Sequence, residues 1–149
     1  MDTKSGVAWT LLFTPIVTGM VTSFSVGSMS SAAESVKSRP PGWVFSVVWP
    51  VIYLLIGYAW AIMFKEGTLI NVFMGTLTAS LVAWIIVYTQ GSKKAGLYVI
   101  LVSLLISLMV WSYTLKESKI SYTPYLIVPL VSWLVFATML NFEEVNNLK

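Results

Sequence analysis

Phe45, Trp49 and Tyr53 follow one another at four-residue steps, and Trp133 and Phe136 stand three apart late in the chain. Residues three or four apart share one face of a helix, so each set builds an aromatic wall. Flat rings without adjacent charge suit a flat, apolar, polycyclic ligand. Carboxylates on such a ligand would reach Lys37 or Arg39, at a rim beside Pro40. Burying about 300 Å² at roughly 25 cal/mol/Å² gives about 7 kcal/mol before association costs, which points to micromolar binding. Buried indole N–H groups want an acceptor, and either a ligand cavity or plain packing accommodates Trp49 and Trp133. The other aromatics near helix ends, Trp9, Trp43, Trp111, Tyr113, Tyr122 and Tyr125, fit membrane-interface belts.

Most other chemistry is excluded by composition. The chain has no cysteine and no histidine, which removes disulfides, thiolate nucleophiles, imidazole bases, proximal-histidine haem ligation and ordinary zinc sites, so no metal site is expected. Its six acids, Asp2, Glu34, Glu66, Glu117, Glu143 and Glu144, all fall outside the long uncharged windows. No buried carboxylate pair is therefore expected, nor the mid-membrane ionisable group of a cation-driven pump. The net charge of +3 is spread over short connections, where isolated Lys and Arg anchor helix ends at headgroups rather than bind nucleic acid.

The elements that must hold the aromatic walls follow from hydropathy. Of 149 residues, 57% are hydrophobic and 10% charged, far from the roughly 25% charge of a soluble domain. Five charge-free windows of 21 to 29 residues each exceed the roughly 20 residues that cross a bilayer core. The expected fold is all-α, a single integral multi-pass bundle of five transmembrane helices at about 7–29, 43–64, 69–88, 96–115 and 122–142. Short connections imply that consecutive helices are antiparallel neighbours. The longer connection, 30–42, is rich in serine and closes on Pro40-Pro41, which suggests a stiffened, lid-like entrance to the second helix. Trp49 then lies roughly 9 Å and Trp133 roughly 13 Å below that same membrane face.

Two small or polar stripes mark packing faces. Thr10, Thr14, Thr18 and Thr22 line one side of the first helix, beside Gly19, Ser23, Gly27 and Ser31; both read as packing, with a polar ligand path along the threonines as the alternative. Gly75, Ala79 and Ala83 form a seam on the third helix suited to a helix of the same or of a second subunit. Lysine and arginine divide four against five between the two faces, so charge bias assigns neither orientation nor membrane.

The run Pro40-Pro41-Gly42-Trp43-Val44-Phe45 with Val48-Trp49 and Tyr53, and the set Pro129, Trp133, Phe136-Ala137-Thr138 and Leu140-Asn141, resemble the helix-2 and helix-5 motifs of the translocator protein / tryptophan-rich sensory protein family. The resemblance implies a five-helix bundle, often a homodimer, that binds porphyrins such as protoporphyrin IX and haem as ligands rather than required cofactors. It implies sensing, sequestration or photo-oxidative disposal of the pigment; a small-molecule or sterol transporter is the alternative. Light- and oxygen-dependent degradation would have Trp49 and Trp133 beside a pigment that supplies its own photochemistry. By motif matching, Trp49, Tyr53, Trp133, Ala137 and Leu140 fall on pocket positions, and Trp84 stands in the helix-3 region. The chain departs from the family where serines replace a tryptophan-tyrosine pair in the first connection, where Leu130 follows Pro129, and where Phe142 stands in place of the tyrosine of a sterol motif.

Overall fold

The computed structural model describes residues 6–27 and 29–149 and the backbone of this stretch forms five long helices: α1 Gly6–Val26, α2 Gly42–Met63, α3 Thr68–Gln90, α4 Lys93–Lys116 and α5 Thr123–Asn147. Asp2, Lys4 and Ser28 lie outside the described residues. All five helices are long and apolar enough to cross a membrane, so the protein is an all-α, integral multi-pass membrane protein. Single 3₁₀ turns, Met29–Ser31 and Phe64–Glu66, lead out of α1 and α2.

Local chemistry explains the punctuation. Gly67 takes φ +145° between the second 3₁₀ turn and α3, a conformation L side chains resist. Ser92 caps α4 by accepting a hydrogen bond from the Ala95 N–H at 3.0 Å. Pro124 occupies the first turn of α5, where no helical donor is lost. Pro50 lies inside α2, which continues through it; the ring deprives the Ser46 carbonyl of its usual helical partner.

The helices pack in the circuit α1–α2–α5–α4–α3, with α3 closing onto α1. Consecutive α2 and α3 touch only sparsely, which corrects the expectation that all sequential helices are neighbours. Two glycines set the α1–α2 spacing. A Cβ on Gly57 would lie 1.9 Å from the Leu12 carbonyl oxygen, and one on Gly19 would lie 2.5 Å from the Tyr53 ring, so a side chain at 57 would collide with backbone and one at 19 would displace the ring. The threonine stripe is spoken for: Thr14, Thr18 and Thr22 each donate to the carbonyl four residues earlier at 2.7 Å, and Thr10 donates to the Gly6 carbonyl at 2.9 Å. A polar ligand path along these threonines would find their hydroxyl protons already engaged.

Helix ends differ from the sequence reading where polar residues continue a buried face. α5 runs on through Asn147 because Ala137, Leu140, Asn141 and Glu144 keep one side against the bundle. Glu144 is only 7% exposed. Glu144 lies beyond the last uncharged window, as expected, and the extra turn of helix carries it onto the buried face.

Candidate functional site

An aromatic ladder runs through the bundle from α2 to α3. Tyr53 stacks on Trp49 with centroids 5.6 Å apart, Trp49 meets Trp84 at 5.5 Å, and Trp84 meets Tyr88 at 5.1 Å. A branch from α5 joins at Trp49, where Trp133 makes an edge contact at 6.1 Å; Trp133 also touches Phe45 at 5.7 Å and Phe136 at 5.4 Å. Four-residue spacing creates both rails: Trp49 and Tyr53 on α2, Trp84 and Tyr88 on α3. Such pairs contribute about 0.5–1.5 kcal/mol each beyond their buried area, which favours one fixed arrangement of rings.

The ladder has a cavity on its α1 side. It encloses about 480 Å³ and its walls include Gly19, Ser23, Phe45, Ser46, Trp49 and Tyr53, a size within the ordinary range for organic ligands. Gly19 makes room against Tyr53, and Pro50, also on the wall, frees the Ser46 carbonyl as an acceptor. Trp133 and Phe136 do not face this cavity; they line a groove between α2 and α5 together with Val48, Ile52 and Pro129. The single hollow expected between the two aromatic walls is therefore divided by the Trp49–Trp133 contact. Trp84, Ala137 and Leu140 bound a narrow crevice under the first connection with Ala33, Tyr88 and Asn141.

Three indole N–H groups in this cluster, those of Trp49, Trp84 and Trp133, are buried and meet no acceptor among the described residues. A buried donor left unpaired costs about 1–3 kcal/mol. Trp49 borders the α1-side cavity, Trp133 the α2–α5 groove and Trp84 the crevice, so each hollow suits a group that brings an acceptor of its own, such as a carboxylate oxygen.

The first connection is packed down over this end of the bundle. Ala32, Ala33 and Val36 are buried, and Ala33 takes φ +58°. Its N–H donates to the Tyr88 hydroxyl at 2.9 Å, and that hydroxyl donates to Glu144 Oε2 at 2.6 Å. Ser38 donates to Glu143 at 3.2 Å, and Asn147 donates to the Ser35 carbonyl at 3.0 Å. Arg39 is turned inward onto the Ala32 and Ser30 carbonyls, with its guanidinium 5.5 Å from the Phe45 ring. Lys37 is exposed and Pro40 half-buried. Arg39 thus holds the connector's own backbone.

Sequence reasoning missed Tyr88 and Glu144. Tyr88 was within reach, four residues after Trp84 on the same helical face. Glu144 continues the spacing of Ala137 and Asn141, but its charge argued against burial. On α3, Ala79 is exposed and Ala83 half-buried, whereas a Cβ on Gly75 would come within 3.7 Å of Trp60; Gly75 is therefore partly covered within the chain.

Comparison with known proteins adds two findings. Residues 6–145 match the family model described as the TspO/MBR family. A protein named tryptophan-rich protein TspO, from Archaeoglobus fulgidus, is 28% identical over 126 residues, which span 81% of this chain and 80% of that one.

Proposed function

This chain belongs to the TspO/MBR family, and on that premise we propose that it binds porphyrins, protoporphyrin IX or haem, within the bundle. The supporting observation is the aromatic ladder Tyr53–Trp49–Trp84–Tyr88 beside a cavity of about 480 Å³, with three unpaired indole donors in the same cluster. Ring contact and indole hydrogen bonds grip the planar pigment and exclude water around it. Sensing or sequestration needs nothing more. Disposal by light and oxygen would draw its chemistry from the pigment, with Trp49 and Trp133 as the flanking residues.

Titration with protoporphyrin IX should quench tryptophan emission saturably in the micromolar range. The Trp49→Ala, Trp133→Ala double variant should weaken that affinity by at least about tenfold. Unchanged affinity in the double variant, with its far-ultraviolet helicity intact, would place the pigment elsewhere.

The exposed side of α3 around Ala79 and Ala83 is also the surface offered to a second copy of this chain in a homodimer. Ala79→Leu should shift a detergent-solubilised dimer to monomer in light-scattering mass; an unaltered mass would assign the seam to lipid.

A further inference from the structure

Propionates on a porphyrin favour a cation, and Arg39 and Lys37 are the two nearest in sequence to the aromatic wall. Arg39 turns two of its donors onto the Ser30 and Ala32 carbonyls, and Lys37 sits exposed on the connector. A different cation closes the upper end of the ladder. Lys93, the first residue of α4, holds its Nζ 3.6 Å over the Tyr88 ring and donates to the Tyr88 carbonyl at 3.3 Å. An ammonium has three donors, so Lys93 retains donors beyond that one bond. It lines a cavity of about 210 Å³, largely polar, together with Ser31, Tyr88 and Thr89.

We infer that this cavity is an anion site in which Lys93 receives a carboxylate or phosphate group. At about 210 Å³ it is below the usual range for a polycyclic ligand but ample for a single oxyanion. Lys93 is the charged side chain on its wall. The neighbouring Glu144 carboxylate lies at the hydroxyl end of Tyr88 and accepts its hydrogen bond there. The Thr89 hydroxyl donates to the Ile85 carbonyl at 2.6 Å, which leaves the charge-assisted contact to Lys93. Ala32 and Tyr88 border both this cavity and the crevice below the connector. That crevice holds only about 10 Å³, so a ring system must first part the first connection from Trp84 and Tyr88 before it projects an acidic side arm towards Lys93. A phospholipid headgroup presents the same chemistry from the bilayer side. The carboxylate form of this inference rests on the porphyrin reading above; the phosphate form does not.

The test compares wild type, Lys93→Met and Lys93→Arg in nanodiscs of zwitterionic lipid, titrated with protoporphyrin IX and with its uncharged dimethyl ester. Native mass spectra of the same variants, purified with phosphatidylglycerol, count retained lipid. A carboxylate site predicts a wild-type preference of roughly tenfold for the diacid, collapsing towards parity in Lys93→Met and surviving in Lys93→Arg. A diacid preference untouched by Lys93→Met, with phosphatidylglycerol lost, assigns the oxyanion to lipid. If Lys93→Met alters neither, the anion site is overturned even though porphyrin binding stands. Wild type that binds neither porphyrin but holds phosphatidylglycerol through Lys93 would overturn the porphyrin reading alone. Wild type that binds neither porphyrin and holds lipid independently of Lys93 would overturn both.

Discussion

Gly57→Ala should lower the thermal unfolding midpoint in detergent by about 10 °C and weaken porphyrin binding with it. The added Cβ would sit 1.9 Å from the Leu12 carbonyl oxygen, and no rotamer change relieves a collision with backbone. Overpacking costs about 1–3 kcal/mol where side chains can yield; here α1 itself must move, so the cost lies at or above the top of that range. At a few degrees per kcal/mol, this gives the stated shift. Since the cavity beside Trp49 lies between α1 and α2, displacing α1 also removes one of its walls. Gly75→Ala is the matched control. Its Cβ would find only Trp60 at 3.7 Å, an ordinary contact, and alanine is the better helix former by up to about 1 kcal/mol. Equal midpoints for the two variants would show that the α1–α2 approach is not held by Gly57.

How much of this was legible in the sequence depends on what kind of signal carried it. Five spans follow from charge-free windows alone, because the bilayer sets a length that few other structures need. The aromatic rails were legible because helical spacing fixes which side chains share a face: Phe45, Trp49 and Tyr53 on α2, Trp133 and Phe136 on α5. Which rails meet was not legible. It depends on the circuit α1–α2–α5–α4–α3, and hydropathy is blind to the order of helices around a bundle. For that reason the sequence suggested one hollow between α2 and α5, whereas the rings of Trp49 and Trp133 touch and separate a cavity on the α1 side from a groove between α2 and α5. The first connection was legible only in part, for a different reason. Its serines and paired prolines suggested a lid-like entrance, but not that Ala32, Ala33 and Val36 provide an apolar plug or that the polar groups beside them are satisfied by α3 and α5 across more than 50 residues of sequence. Long-range hydrogen bonds of that kind leave no local pattern to find.

The same contacts lead to the second large effect. Tyr88→Phe should raise amide exchange rates across residues 32–39 by roughly 10- to 100-fold, while exchange in the middle of α3 changes little. Removing the hydroxyl deletes the acceptor for the Ala33 N–H and the donor to Glu144 Oε2 together. Glu144 is only 7% exposed, and a buried polar group stripped of its partner costs about 1–3 kcal/mol, more where charge is involved. At 1.4 kcal/mol per decade, that cost sets the expected range for opening. The ring itself survives the change, so the stack on Trp84 and the contact with Lys93 remain, and any effect reports on the hydroxyl. Glu144→Gln keeps an acceptor for Tyr88 and should behave more mildly. Porphyrin association kinetics then distinguish two routes of access. If the pigment passes beneath the first connection, its on-rate should rise with the exchange rate in Tyr88→Phe. If it passes between α1 and α2, where the cavity lies, the on-rate should hold while the connector loosens. Exchange in residues 32–39 that stays at the wild-type rate would mean that Arg39, Ser38 and Asn147 hold the connector without the tyrosine.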